Sequence, residues 1–312
     1  MQDRAFARPG RFFRGNLHTH SSVSDGALPP GEVCRRYAAH GYDFIALTDH
    51  FLGCFGYPVT DTTRFRTARF TTLPGAELHA GAMENGEIWH ILAVGLPADF
   101  PPPDAPGFAA VPGQESGPAL AARARAAGAF VAIAHPEWSG LTTADARSLA
   151  EAAHAVEVYN HGCAVDCDRG HGHHTLDQLL SEGRRLTLCA TDDAHFRSDD
   201  QFGGWVMVKA GANAPDALLA ALREGAFYAS TGPELHDLHW EDGHVHVACS
   251  AAARVIVQGR GTATDVVHGP ALTRVSVPLA RVAGSPWARV TVVDAAGGRA
   301  WSNPHWFDDG SA

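Results

Sequence analysis

Short apolar runs alternate with helix-forming segments through roughly the first 230 residues, and this alternation constrains the fold more than any other feature of the sequence. The predicted strands cover residues 12–17, 44–47, 71–74, 88–94, 130–133, 156–159, 186–190 and 205–209. The predicted helices cover residues 30–40, 117–127, 143–153, 175–181 and 214–224. Strands that alternate with helices indicate a parallel α/β arrangement. Because so many units close more naturally into a barrel than into an open sheet, we predict a barrel.

Metal-ligating side chains recur where these apolar runs end. His18 and His20 are two residues apart at the end of the first strand, so both side chains point to the same face. A single His-x-His pair is weak evidence, but imidazole is the commonest transition-metal ligand, and similar groups follow later strands. The carboxyl ends of the strands form the catalytic face of an α/β barrel. The candidates from the residues alone are His18, His20, Asp25, His50, Glu77, His135, Asp193 and His195.

Some neighbouring positions have a structural interpretation beside the functional one. An Asx turn after Ser24 would by itself explain Asp25. His90 lies inside an apolar run, where a lone histidine is usually a hydrogen-bonded core residue. We predict that Asp49 orients a ligating histidine, and that His79 faces solvent or an outer layer of the site.

Two adjacent carboxylates, Asp192 and Asp193, precede His195. If His195 points inward, the alternation of side chains places Asp193 beside it and turns Asp192 away. We therefore predict that Asp193 is a ligand and that Asp192 is not.

The charge balance limits the partners. The formal net charge is −10 and Lys209 is the only lysine, which argues against a long nucleic acid as partner. A small phosphorylated substrate remains compatible, because bound cations would invert the local field. No apolar run is long enough to cross a bilayer, and the N-terminus lacks a signal-peptide pattern, so we expect a cytoplasmic protein without membrane contacts. The sequence leaves the oligomeric state open.

The pattern changes after Thr231-Gly232-Pro233, where short β segments begin. We predict two domains, a metallohydrolase barrel at residues 1–233 and a small β-sandwich-like domain at residues 234–312. The histidines of the second domain look scattered along the chain, and we expect no metal ligand after about Thr231. They are His236, His239, His244, His246, His268 and His305.

Taken in order, the candidate ligands together with His90 resemble the PHP (polymerase and histidinol phosphatase) family. The segments 227–234 (FYASTGPE) and 300–304 (AWSNP) are similar to its CehA/McbA-type branch. The resemblance implies a distorted (β/α)₇ TIM-like barrel that holds two or three divalent metal ions. It also implies three ligand sets: His18, His20, Glu77 and Asp193; Glu77, His90 and His135; and Asp25, His50 and His195.

The segment 161–174 departs from the family pattern by its enrichment in His and Cys. The Cys163-x₃-Cys167 spacing fits structural zinc poorly. We therefore predict a solvated or substrate-facing loop rather than a separate zinc site.

This resemblance and the ligand chemistry predict a phosphoesterase that acts on a small phosphorylated metabolite or a short nucleotide. Zinc, manganese and iron all suit the ligands, and a water that bridges two metals beside Glu77 and Asp193 is the expected nucleophile. Arg169 and Arg197 are candidate phosphate-binding residues. The alternatives are a carbamate, ester or amide hydrolase with the same metal chemistry, and a non-catalytic metal-binding module.

Overall fold

One large hydrogen-bonded sheet runs through the structure, which is a computed structural model and describes residues 1–307. In chain order its strands are β1 (Arg11–Asn16), β2 (Phe44–Leu47), β3 (His50–Phe51), β4 (Thr71–Leu78), β5 (Ile91–Val94), β6 (Phe130–Ile133), β7 (Ala155–Asn160), β8 (Thr187–Thr191), β9 (Trp205–Ala210), β10 (Phe227–Ser230), β11 (Leu235–Glu241), β12 (His244–Gln258), β13 (Thr264–Pro278), β14 (Trp287–Val293), β15 (Arg299–Trp301) and β16 (His305–Trp306). The α-helices are α1 (Arg4–Ala7), α2 (Pro30–Ala39), α3 (Gly117–Ala126), α4 (Thr143–Ala150), α5 (His161–Cys167), α6 (His173–Ser181) and α7 (Pro215–Arg223), and two 3₁₀ turns lie at Gly53–Phe55 and Thr63–Phe65.

Local sequence explains where the longer helices begin. Helix α2 begins at Pro30, whose missing N–H would have had no partner in the first turn. The Ser116 side chain accepts a hydrogen bond from the Ala119 amide at the start of α3. Thr142 and Asp145 form a capping box on α4. All five predicted helices are present, with ends that differ by a few residues.

The sheet is mixed rather than parallel. Strands β1, β2 and β4 are parallel neighbours, as are β6, β7 and β8, but β5 is antiparallel to both β4 and β6. Strand β9 is antiparallel to β1. The chain between β4 and β5 contains no helix to carry it back across the sheet, so β5 returns beside β4 in the opposite direction.

The closed barrel predicted from the sequence is not what the structure shows. Within residues 1–307 no strand ladder joins β8 to β1 or β9, and the sheet stays open there. The Asp192 carboxylate, directly after β8, accepts hydrogen bonds from the amides of residues 202–204, directly before β9. An isolated bridge between Thr19 and Ala194 joins the segments that follow β1 and β8. This bridge brings their ligand-bearing ends together without closing the sheet.

The residues after 233 are mostly β-strand, as predicted, but they extend the same sheet. Strand β15 pairs with both β10 and β14, so hydrogen bonding continues across the predicted boundary. Strands β12 and β13 are each 15 residues long, and the register between them shifts near Ala252. The division into domains at 233/234 stays a prediction. Among the residues described, no helix has the length and apolar character needed to cross a membrane.

Candidate metal centre

A cavity of about 350 Å³ opens where several ligand-bearing segments meet. Most of the predicted ligands line it, namely Asp25, His50, Glu77, His90, His135, Asp193 and His195. The other two, His18 and His20, are fully buried behind it. Each has an Nε2 atom about 3 Å from the Asp193 Oδ1 atom. The structure therefore brings all nine predicted ligands together.

Glu77 is the central carboxylate of the cluster. It lies on β4, fully buried, and its Oε1 atom is 2.7 Å from His90 Nδ1 and 3.1 Å from His135 Nε2. Its Oε2 atom is 2.7 Å from His50 Nδ1, because the parallel pairing of β3 with β4 sets His50 opposite Glu77. Strand β4 is longer than predicted, so Glu77 is held by the sheet rather than by a loop.

Asp193 is the second buried carboxylate. Its Oδ1 atom is 3.1 Å from His18 Nε2 and 3.0 Å from His20 Nε2, and its Oδ2 atom accepts a hydrogen bond from Asn160 Nδ2 at 3.1 Å. The backbone of Asp193 is left-handed, with φ +55°, and that of His135 has φ +22°. Non-glycine residues in such conformations store about 1–3 kcal/mol of strain each, and this strain clusters at functional sites.

The outer part of the cluster is built around Asp25. Its Oδ1 atom lies 3.4 Å from His50 Nε2 and 3.4 Å from His195 Nε2, and its side chain is 34% exposed. The His20 and His195 rings stack with centroids 4.2 Å apart. Asp25 is therefore more than a turn residue, because its carboxylate faces two imidazoles.

The donor atoms fit divalent metal ions. Within this cluster, four groups of side chains have donor atoms within 4.8 Å of one another. They are His20, Asp25, His50 and His195; His18, Glu77 and His135; His18, His20 and Asp193; and His50, Glu77 and His79. The buried His20 Nδ1 atom has no hydrogen-bond partner, and the close contacts of His18 Nε2 with Asp193 and of Glu77 Oε2 with His50 lack hydrogen-bond geometry. Buried polar atoms are normally paired, and this set of imidazoles and carboxylates suits Zn²⁺, Mn²⁺ or Fe²⁺.

His79 and His90 lie in surroundings that the sequence left open. Of the two positions predicted for His79, the structure has the one against the site and not the one toward solvent, because His79 is fully buried, with Nδ1 3.0 Å from the Trp89 carbonyl and Nε2 2.9 Å from His50 Nδ1. His90 precedes β5 instead of lying inside it, which frees its ring to reach Glu77. His90 is in none of the four donor groups, although it contacts Glu77 directly.

Electrostatics favours charged carboxylates in this cluster. Burial alone would raise the pKa of Glu77, but the charges of His50 and His90 hold it well below its ordinary value. Burial likewise acts to raise the pKa of Asp193, and His18 and His20 hold it well below its ordinary value. Both groups are therefore anionic at neutral pH and available as ligands.

Glu157 is a site residue that the sequence analysis missed. It is buried on β7, and its Oε1 atom is 2.8 Å from His18 Nδ1, which directs Nε2 of that ring toward Asp193. Its Oε2 atom accepts a hydrogen bond from the His135 amide at 2.8 Å. A carboxylate behind a ligating histidine fixes the ring and its tautomer. The available signal was a lone acidic residue within an apolar strand.

Asp192 and Asp49 organise the backbone around the cluster. Asp192 is fully buried and accepts a hydrogen bond from the Tyr37 hydroxyl at 2.7 Å, and no donor group includes it. The Asp49 carboxylate accepts hydrogen bonds from Ser21, Ser24 and Thr60. The sequence analysis predicted a histidine as its partner instead. Asp49 thus orders the loop between His20 and Asp25.

The predicted phosphate-binding arginines do not line the cavity. Arg197 donates to the Asp25 carbonyl from an exposed position, and Arg169 is exposed beyond α5. The cavity wall contains Ile88, Phe108 and Trp138 instead. The Trp138 ring meets the His135 ring edge-on, with centroids 4.9 Å apart.

The segment predicted as a loop at residues 161–174 contains helix α5 and the start of α6. The Asn160 side chain accepts a hydrogen bond from the Cys163 amide at 3.0 Å, and this cap starts α5. None of its His or Cys residues lines the cavity or belongs to a donor group in residues 1–307. We predicted a solvated or substrate-facing loop; the segment is helical where a loop was expected, and its residues 165–169 are exposed to solvent.

Comparison with known proteins bears on the fold. No protein-family model matches the chain, and no curated protein matches it. A two-domain protein from Bacteroides vulgatus ATCC 8482, containing a predicted PHP-like metal-dependent phosphoesterase, is 17% identical with a TM-score of 0.52. That alignment covers 93% of this chain and 94% of the other. An amidohydrolase from Chromobacterium violaceum is 19% identical with a TM-score of 0.46, over 60% of this chain and 89% of the other. The likeness to the Bacteroides vulgatus protein shows that this chain shares the fold of a protein with a predicted PHP-like domain.

Proposed function

We propose that this protein is a metal-dependent hydrolase that cleaves the phosphoester of a small phosphorylated metabolite or short nucleotide. The observation that carries the proposal is the pair of buried carboxylates, Glu77 and Asp193, each surrounded by imidazoles at one open cavity. The PHP-like fold supports it, and the Bacteroides vulgatus protein is described as containing a predicted phosphoesterase of this type. Structural metal sites are closed, whereas this cluster faces a cavity.

The protein's own residues supply the framework for the reaction. The cations would be held by the nine predicted ligands, with His79 as an additional donor. When bound, divalent cations polarise a phosphoryl oxygen and lower the pKa of water so that it can attack at neutral pH. The Glu77 and Asp193 carboxylates each face several imidazoles and would orient the attacking water. Glu157 keeps His18 in the tautomer that presents Nε2.

The cavity also favours a particular kind of ester. About 350 Å³ suits a small molecule rather than a polymer. Ile88, Phe108 and Trp138 form apolar surface beside the ionisable cluster, and the Phe108 and Trp138 side chains are 45% and 43% exposed. We infer that the phosphoryl group faces the cations and that an apolar or aromatic leaving group lies against these rings.

One feature of the cavity favours the second candidate, a carbamate, ester or amide hydrolase. No arginine or lysine belongs to its wall among residues 1–307, so no protein cation is set to receive a phosphate dianion. A neutral aryl carbamate or ester needs no such residue. In the phosphoesterase proposal the bound cations fill this role.

The deciding experiment is a substrate panel with metal-reconstituted protein. Aryl phosphates, alkyl phosphates and short nucleotides are compared with aryl carbamates and aryl esters, with Mn²⁺ and with Zn²⁺. We expect the highest kcat/KM on a phosphate and competitive inhibition by inorganic phosphate. The Asp193→Asn variant serves as the inactive control. Carbamate or ester turnover well above that of every phosphate would overturn the proposal, and turnover of none by a fully metallated protein would favour a non-catalytic module.

A further inference from the structure

The β11–β12 hairpin carries an exposed group of ionisable side chains outside the candidate metal centre. The two strands are joined by Asp242 and Gly243, with φ angles of +49° and +71°. Positive φ at both positions is characteristic of a type I′ turn, which matches the twist of the strands and fixes their register. The side chains on this hairpin are therefore held in defined pairs.

The register places a group of ionisable residues on one face, where Asp237 Oδ2 also lies 3.5 Å from His239 Nδ1 and Arg274 lies nearby. His239 lies opposite His246, and Glu241 lies opposite His244. The alternate residues, including Leu238, Trp240 and Val245, are buried in the core on the other face. Because strand side chains alternate, the three histidines and the glutamate share the solvent-facing side.

Three of these side chains converge. The His239 and His246 rings are stacked, with centroids 4.6 Å apart and planes inclined by 18°. His239, Glu241 and His246 each offer a donor atom, and these atoms lie within 4.8 Å of one another. The His244 ring follows at 6.2 Å from the His246 ring. Two imidazoles and one carboxylate are a known ligand set for Zn²⁺, with a coordination position left for water or an outside donor.

We propose that His239, Glu241 and His246 form an accessory site for a transition-metal cation of the Zn²⁺, Cu²⁺ or Ni²⁺ class. None of the three lines the cavity of the candidate metal centre, so the site is separate from it. The side chains are partly or fully exposed, so the cation exchanges with the medium. The sequence analysis expected no ligand after Thr231, because the two histidines lie on different strands and only the register pairs them.

The test is a Zn²⁺ titration of protein whose main centre is already loaded, in competition with a chromophoric chelator. We expect wild type to take up one labile equivalent that His239→Ala and His246→Ala both lose, while Glu241→Gln binds it more weakly. His236→Ala is the matched control, because His236 is exposed on the same strand outside the group, and it should retain the equivalent. Circular dichroism and hydrolase activity of all variants should match wild type.

A measurement on the wild-type protein tests the proposal independently of whether the variants fold. Anomalous scattering at the zinc edge, from wild-type crystals soaked in Zn²⁺, should show a peak at the edge of the stacked His239 and His246 rings, beside the Glu241 carboxylate. Absence of that peak, or equal labile uptake by His246→Ala and wild type, would overturn the proposal. Because the main centre is loaded beforehand, a failed hydrolase assay would leave this result unaffected.

Discussion

Replacing Glu157 by glutamine should weaken metal binding although Glu157 itself faces no cavity. The carboxylate receives four donors: Oε1 faces His18 Nδ1 and the Thr191 hydroxyl, and Oε2 faces the His135 amide and Asn160 Nδ2. Glutamine keeps the shape of the side chain but offers one acceptor oxygen and one donor amide. In either orientation, one pair of donors meets an NH₂ group.

The expected magnitude follows from these contacts. If the amide oxygen stays on His18, the His135 N–H is left without an acceptor, and an unpaired buried donor costs about 1–3 kcal/mol. If the amide oxygen instead accepts from the His135 amide, the His18 ring loses the acceptor that fixes its tautomer. Loss of such a partner typically lowers metal affinity about 10–100-fold, which is a similar free energy. We therefore expect Glu157→Gln to bind its metal roughly 10–100-fold more weakly.

The assay is metal retention during dialysis against a graded series of chelator concentrations, read by elemental analysis. Glu151→Gln is the matched control, because Glu151 is exposed and pairs with Arg184 at the surface. Far-ultraviolet circular dichroism establishes that both variants are folded. Metal affinity of Glu157→Gln equal to that of wild type would refute the argument that Glu157 orients His18.

Further predictions concern the neighbouring carboxylate, pH and substrate preference. Asp193→Asn should lose both metal and activity, whereas Asp192→Asn should keep its metal in elemental analysis; the reverse result would contradict the assignment. In urea unfolding Asp192→Asn should be less stable by about 1–3 kcal/mol, because its amide group can leave a buried N–H such as that of Gly204 unpaired. Burial, and after it the nearby arginines, lower the pKa of His154 to about 4. In the unfolded chain this pKa is about 6.5, so between the two values the unfolded chain binds more protons than the folded one. The free energy of unfolding should therefore fall as the pH drops between these two values. His154→Gln should reduce this dependence of the free energy of unfolding on pH in urea titrations, and an unchanged dependence would contradict the role of His154. Trp138→Ala should raise KM for aryl phosphates in steady-state assays and leave KM for alkyl phosphates nearly unchanged; equal effects on both would argue against an aromatic contact.

The gathering of eight of the nine predicted ligands could be foreseen because each follows or ends a strand-like run, whereas His90 lies inside one and was added by the family resemblance. Strand ends with the same direction meet at one edge of a sheet, so spacing along the chain was enough to group His18, His50 and His135. Asp193 was separated from Asp192 by side-chain alternation, and the two carboxylates do face different surroundings. That these side chains bind metal stays a prediction.

Other features depend on pairing that the sequence does not encode locally. The direction of β5 follows from the path of the chain between residues 79 and 90, which has no periodic pattern. Glu157 looked like an ordinary strand residue, yet its buried charge is offset by four donors from separate segments. The pairing of His239 with His246 depends on a two-residue turn.

Charge balance in the candidate centre gives a separate reason for expecting an anionic substrate. The donor groups include the three carboxylates Asp25, Glu77 and Asp193, whose combined formal charge is −3. Two divalent cations add four positive charges and leave +1, and three cations leave +3, since neutral imidazoles contribute nothing. Buried net charge is costly unless an opposite charge compensates it. Glu87 in the cavity wall adds one further negative charge, so two cations then leave no net charge and three leave +2. A phosphate dianion would compensate the three-cation form, as the proposed phosphoesterase function requires.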